Sequence, residues 1–180
     1  MLELEQLFES LQGITRHSLP PIERWQPERQ ADIDICIRSD GRWWHEGSEI
    51  KRHELIKLFA SILRRESSGS YYLVTPNEKL QIQVEDVPLL IVESTRHVPE
   101  NGTEQIAMRS NLDDVLTLGA DHALELRQSI PYVYVRRGLW ARVTRNVYYQ
   151  WADWGQPVQE AGKTALVLQS GGEQFSLGDL

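Results

Sequence analysis

An α+β fold rich in antiparallel strands is what this 180-residue sequence predicts, and three observations carry the prediction. From Lys79 to Glu85 the residues alternate strictly, with Leu80, Ile82 and Val84 on one face and Lys79, Gln81, Gln83 and Glu85 on the other, the pattern of a half-buried strand. Between Arg52 and Arg65 the apolar residues Leu55, Leu58, Phe59, Ile62 and Leu63 recur at intervals of three and four, which predicts a helix packed along one side. From Glu104 to Val143 short apolar runs follow one another with turn residues between them, which predicts an antiparallel meander.

Taken in order, Leu4, Leu7, Phe8 and Leu11 at helical spacing, followed by Gly13 as a C-cap, predict a short amphipathic helix. Leu19 to Pro27 predicts an extended lead-in anchored by Trp25, because each proline fixes its own φ and pushes the preceding residue out of the helical region. Asp32 to Arg38 alternates, Ser39-Asp40-Gly41 turns, and Arg42 to His45 returns, which is a hairpin. The helix follows, with Arg64-Arg65 suited to its C-terminal dipole. Ser67-Ser68-Gly69-Ser70 then turns the chain into two strand-like runs around Pro76-Asn77. The nearly continuous apolar run Val87 to Val92 predicts a strand buried on both faces. Beyond the loop at Pro99 to Gly102, strands are expected at 104–109, 114–118, 124–128, 132–135 and 139–143, then a closing helix carrying Val147, Tyr148 and Trp151. Ala165 to Leu168 and Gln174 to Leu177, around Gly171-Gly172, predict a terminal hairpin. The expected division is 1–86, 87–155 and 156–180.

One local pattern occurs twice: a strand, a glycine turn, a Trp and a helix, around Gly41, Trp43 and Arg52 and again around Gly138, Trp140 and Arg145. Duplication and the chance recurrence of a common arrangement both account for it.

With 41% hydrophobic residues, six Trp and six Tyr, the chain fills a real core, which excludes disorder. A formal charge of −7 excludes broad binding to nucleic acid or anionic membrane, since both need a cationic surface; local patches at Arg64-Arg65 and Arg136-Arg137 are compatible with it. Met1-Leu2-Glu3-Leu4-Glu5 has neither the basic nor the apolar segment of a secretion signal, and no run of roughly 18 apolar residues occurs, so a cytoplasmic location without membrane insertion is expected. The single cysteine, Cys36, excludes an internal disulfide and fits a reducing compartment.

No spacing specifies a reaction. His53-Glu54-Leu55-Ile56-Lys57 opens like a helical zinc motif but has Lys57 where the second His must stand, and the remaining His are scattered, so no metal and no cofactor are expected. Gly162-Lys163-Thr164 ends like a phosphate-binding loop, but Pro157 replaces the first glycine and a strand pattern follows. Cys36 stands two residues from Arg38, whose charge lowers a thiol pKa; without a His or second Cys partner it reads as structural. The adjacent acids Glu85-Asp86 and Asp113-Asp114 diverge to opposite faces in a strand and suit turns and caps. With no nucleophile and base in view, the reading leans away from an enzyme.

Leu19-Pro20-Pro21-Ile22-Glu23-Arg24-Trp25, Asp32 to Ile35, Asp40-Gly41-Arg42-Trp43, His45 to Ile50, Leu63-Arg64-Arg65 and above all Tyr71 to Lys79 resemble the bacterial family catalogued as domain of unknown function 1285. Pro131-Tyr132-Val133 and Val147-Tyr148-Tyr149 extend the resemblance, which spans Leu19 to Trp151 and leaves out the segment from Gln156. It implies a duplicated core of two similar small α+β domains, the second like a pleckstrin-homology fold. It also implies a nucleotide-like ligand at the domain interface and a role in signalling.

The corner Thr75-Pro76-Asn77-Glu78-Lys79 is the strongest candidate site, since it sets a hydroxyl, an amide, a carboxylate and a cation at a strand-turn-strand junction. The bland reading of the same residues is a solvated hairpin corner. The expected ligand is small and anionic, gripped from the first half by Arg64, Tyr72, Thr75, Glu78 and Lys79 and from the second by Asn111, Arg136 or Arg142. Arg and Lys supply charge-assisted bonds, a Tyr stacks on a base, and Asn or Glu reads its edge. The alternative is a protein-interaction adaptor built on the pleckstrin-like half, with a protein partner.

Overall fold

The computed structural model describes residues 11, 19–100, 102–160 and 162–180. The helix expected over Leu4 to Leu11 lies outside the described residues except for Leu11, which is fully buried. The chain divides into two compact units, Met1–Asp86 and Val87–Leu180.

In the first unit a single 3-10 turn, Ile22–Arg24, precedes β1 (Arg29–Ile37), β2 (Trp43–His45), β3 (Ser48–Glu49), α1 (His53–Ser61), β4 (Leu63–Arg65), β5 (Tyr71–Val74) and β6 (Glu78–Val84). The strands form one sheet in the order β3-β2-β1-β6-β5-β4. Two antiparallel three-stranded meanders therefore meet along a single parallel pair, β1 with β6. Joining parallel neighbours requires a crossover, and α1 lies in it. Trp43, Phe59, Ile35, Ile37, Ile62 and Leu73 are all fully buried, and the Trp43 and Phe59 rings lie 6.3 Å apart.

The helix is shorter than its apolar spacing predicts. It stops at Ser61, and Arg64-Arg65 belong to β4, where they cannot serve the helix dipole. The cause is strand capture: the Ile62 carbonyl accepts a bond of 3.0 Å from the Val74 amide, and Leu63 pairs with Leu73. Ile62 and Leu63 are buried in either conformation, so their spacing cannot tell helix from strand.

The second unit holds β7 (Leu89–His97), β8 (Gln105–Ser110), β9 (Val115–Thr117), β10 (Leu124–Arg127), β11 (Ile130–Arg136), β12 (Leu139–Val143) and α2 (Arg145–Trp154). Its sheet runs β10-β11-β12-β7-β8-β9, with β12 and β7 parallel at the centre. Numbered from its own first strand, this is the strand order of the first unit. The two sheets are thus similar, but not through the repeat around Trp43 and Trp140. By sheet position β1 corresponds to β7, whereas β11 lies next to an edge. Strand-turn-strand patterning is local and does not encode which strand takes the centre. For the same reason the single meander expected over 104–143 is two meanders with β7 inserted between them. Trp151 on α2 is fully buried, and its indole N–H donates to Ser94 Oγ at 2.9 Å.

The terminal segment is a three-stranded sheet and not a hairpin: β13 (Gln156–Glu160), β14 (Lys163–Ser170) and β15 (Glu173–Asp179). Gln156–Glu160 lacks an alternating apolar face and joins only as the edge partner of β14, a place where Pro157 is tolerated. Buried Ser170 ties this sheet to the rest of its unit, accepting from the Ile106 amide at 3.0 Å and donating to the Leu118 carbonyl at 2.7 Å. Among the described residues no helix is long and apolar enough to cross a membrane.

Candidate functional site

The Thr75 to Lys79 corner is a tight turn that consumes its own polar groups. The Thr75 hydroxyl accepts from the amides of Asn77 at 3.3 Å and Glu78 at 3.1 Å and donates to the Glu78 carbonyl at 3.1 Å. With Thr75 only 6% exposed, its side chain is spent on the corner. Glu78 and Lys79 then part company, because successive strand residues face opposite ways. Glu78 shares the face of Leu80 and Ile82, is 7% exposed, and lies 3.5 Å from Arg29 Nε. Its Oε2 has no hydrogen-bond partner among the described residues.

Lys79 lies on the other face, and there the sheet register gathers a polar network. Arg64, Tyr72 and Gln81 stand side by side on β4, β5 and β6, and Gln30 on β1 is opposite Lys79. Lys79 Nζ donates to Glu66 Oε1 at 3.1 Å and Oε2 at 3.3 Å and sits 4.7 Å from the centre of the Tyr72 ring. Arg64 donates from Nη2 to Glu66 Oε1 at 2.9 Å. From Nη1 it donates to the carbonyls of Ile22 and Trp25, each at 3.0 Å, which fixes the guanidinium to the end of the 3-10 turn. The Tyr72 hydroxyl donates to Gln81 Oε1 at 3.3 Å and accepts from Gln30 Nε2 at 3.5 Å. The hydrogen bond from Lys79, followed by that from Arg64, holds the Glu66 carboxyl below the usual carboxylate range. Tyr72 is 6% exposed beneath Lys79, so its ring is not open for a base to stack on.

Arg64, Tyr72 and Lys79 are thus brought together; Thr75 and Glu78 are not part of that face. The network also contains three residues that sequence reasoning did not select. Gln81 was visible in the strict alternation after Lys79. Glu66, placed between two arginines and a serine-glycine turn, reads as turn polarity until the register of β4 and β5 is known.

In the second unit, Asn111 completes a mimic of strand pairing: its Oδ1 accepts from the Leu90 amide and its own amide donates to the Leu90 carbonyl, both at 2.9 Å. Arg136 donates from Nη1 to Asp114 Oδ1 at 2.6 Å, with both side chains mostly buried, and its Nε is buried without a partner among the described residues. A register shift at Val135 sets Arg136 opposite Leu139, whereas Arg142 is opposite Tyr132. Directly opposed residues share a face and 139 and 142 do not, so Arg136 and Arg142 face opposite ways.

A separate cleft of about 230 Å³ opens where β1 bows away from β6. The two strands run in register through Asp32 and Gln81, then lose it until Cys36 and Gln83, so four steps on β1 match two on β6. Arg29, Asp32, Asp34, His45 and Glu46 rim the opening above Ala31, Ile33 and Leu80. Cys36 ends the bow, and burial, with Glu85 next, pushes its thiol pKa up despite the opposing charge of Arg38. The expected lowering is therefore outweighed. Among the described residues no three His, Cys, Asp or Glu converge as a metal-binding set.

Comparison with known proteins bears on most of the chain. The family model described as "Domain of unknown function (DUF1285), N-terminal domain" matches residues 20–87, and "Protein of unknown function (DUF1285), C-terminal domain" matches residues 88–177. The second match takes in most of the terminal sheet, beyond the span of the sequence resemblance. The crystal structure of a DUF1285 family protein from Silicibacter pomeroyi DSS-3 is 31% identical, with a TM-score of 0.81 over 97% of this chain and 95% of that one. A DUF1285 family protein from Shewanella baltica OS155 is 30% identical, with a TM-score of 0.54 over 66% of this chain and 90% of that one. No curated protein matches.

Proposed function

Since the chain belongs to the DUF1285 family, we propose that it is a noncatalytic binding module for a small anionic ligand, nucleotide-like in class, with a role in signalling. The observation that carries this reading is the pair Arg64 and Lys79, two cations on one sheet face that both hydrogen-bond a single carboxylate. Arg64 and Lys79 set two positive charges against the Glu66 carboxylate, and Asp32, opposite Gln81 on β1, is a further carboxylate on the same face. Over a screening length of about 8 Å, an anion seated between Arg64 and Lys79 interacts with these two cations more strongly than with the protein's distant charges. Gln30 and Gln81 place amide groups beside the pair, where donors and acceptors read a ligand's edge.

The test is a thermal-shift panel of nucleoside mono-, di- and triphosphates and inorganic phosphate on wild type and Lys79→Ala. A saturable rise in wild type that is absent from Lys79→Ala supports the reading, and no rise with any anion removes it. Because Lys79 is bonded to Glu66, Lys79→Ala should itself lower stability, by up to about 1 kcal/mol for a partly exposed pair.

The second reading is the protein-interaction adaptor on the second unit, with its pleckstrin-like likeness. Val115, 75% exposed on the short edge strand β9 beside a shallow cleft of about 180 Å³ floored by Ala107 and Met108, favours it. Native mass spectrometry showing a stoichiometric protein complex that Val115→Lys abolishes would establish it.

A further inference from the structure

We infer that Glu66 is a built-in occupant of the anion site: its carboxylate stands where a ligand's carboxylate or phosphate group binds, and the ligand enters by displacing it. This rests on the binding reading above and adds to it the size of the ligand's charged group and the element that controls access.

Glu66 Oε1 receives bonds from both Arg64 and Lys79, and Oε2 receives a second one from Lys79, the arrangement two cations offer any oxyanion of that size. The three side chains are 14% (Arg64), 20% (Lys79) and 27% (Glu66) exposed, so the Glu66 side chain is the most accessible of the three. It can leave without backbone movement. The Glu66 main chain is held in the β4–β5 turn, its amide donating to Ser70 and its carbonyl accepting from Gly69, each at 2.9 Å, so that rotation about side-chain bonds suffices.

The cations remain aimed when Glu66 is gone. Arg64 is still anchored by the carbonyls of Ile22 and Trp25, and Lys79 still lies over Tyr72. The vacated space is that of one carboxylate between two donors, which suits a carboxylate or a terminal phosphate monoester.

Glu66→Ala removes the occupant and leaves a gap of about the size of acetate. Melting temperatures of wild type, Glu66→Ala and Glu66→Ala/Lys79→Ala would be recorded against sodium acetate, inorganic phosphate and matched sodium chloride. The expected result is a saturable rise in Glu66→Ala above the chloride control, at a half-effect concentration about tenfold or more below that of wild type, and no such rise in the double variant. Glu66→Gln, which keeps the side-chain volume, is measured with phosphate in the same way if Glu66→Ala does not fold. A single variant that responds like wild type, or a double variant that responds like the single, overturns the inference. The two readings fail separately. A nucleotide that stabilises wild type but binds Glu66→Ala no tighter defeats the displacement alone; acetate rescue without any response of wild type to the nucleotide panel defeats the proposed function alone.

Discussion

Phe59→Ala probes the first unit's architecture most sharply. Phe59 is fully buried on α1 and faces Trp43 across 6.3 Å with the rings tilted by 32°. Truncating a fully buried Phe destabilises by about 3–5 kcal/mol through lost transfer energy and the cavity left behind. Roughly 0.5–1.5 kcal/mol of that belongs to the aromatic pair. The upper part of the range is expected here, because Trp43 and the buried residues of β1, β4 and β5 sit in a hydrogen-bonded sheet that cannot collapse into the gap. Urea unfolding followed by tryptophan fluorescence and far-ultraviolet dichroism measures the loss, with the transition that the mutation shifts assigned to the first unit. A loss below about 1 kcal/mol would refute the packing of α1 described here.

Other perturbations address other parts of the molecule. A Cβ at Gly155 would meet Leu166 Cγ at 2.7 Å and Cδ1 at 2.8 Å while its φ of −64° suits any residue, so Gly155→Ala should destabilise by overpacking alone, by about 1–3 kcal/mol. Adding Leu166→Ala should make the glycine substitution nearly harmless; an undiminished penalty would point elsewhere. Glu66 has its folded pKa depressed, chiefly by Lys79, so its contribution to stability is complete above the unfolded value near pH 4.3 and is lost as pH falls through the folded value. The urea midpoint of wild type should exceed that of Glu66→Gln near neutrality and converge on it as pH falls below the usual carboxylate range; a constant gap would contradict the pairing. Cys36, with its thiol raised by burial and then by Glu85, should react with iodoacetamide at pH 8 more slowly than free cysteine, and Glu85→Gln should speed it. A rate equal to that of free cysteine would sink that account.

Much of this fold is legible locally. The alternation after Lys79, the hairpin around Gly138 and the helical spacing of Val147 and Trp151 each reappear as β6, β11–β12 and α2. What escaped is nonlocal. The parallel pairs β1–β6 and β7–β12 join residues far apart in the chain, and nothing in a strand's own sequence names its neighbour. The end of α1 was hidden because β5 captures residues whose burial suits helix and strand equally. In the site, Lys79 and Tyr72 were readable as polar and aromatic groups of one hairpin. Glu78 was grouped with them on chemistry, although the same alternation that exposes Lys79 assigns Glu78 to the side of Leu80 and Ile82. The polar character of a residue proved a weaker guide than its parity in the strand.

The central claim is that Arg64 and Lys79 form a seat for an anionic ligand, and isothermal titration calorimetry with a nucleoside monophosphate tests it most directly. The account predicts one site per chain in wild type and a Kd at least about tenfold weaker in Lys79→Ala, since a hydrogen bond to a charged group contributes about 1.5–3 kcal/mol. Equal affinity in the two proteins, or no heat with wild type at millimolar ligand, would contradict it.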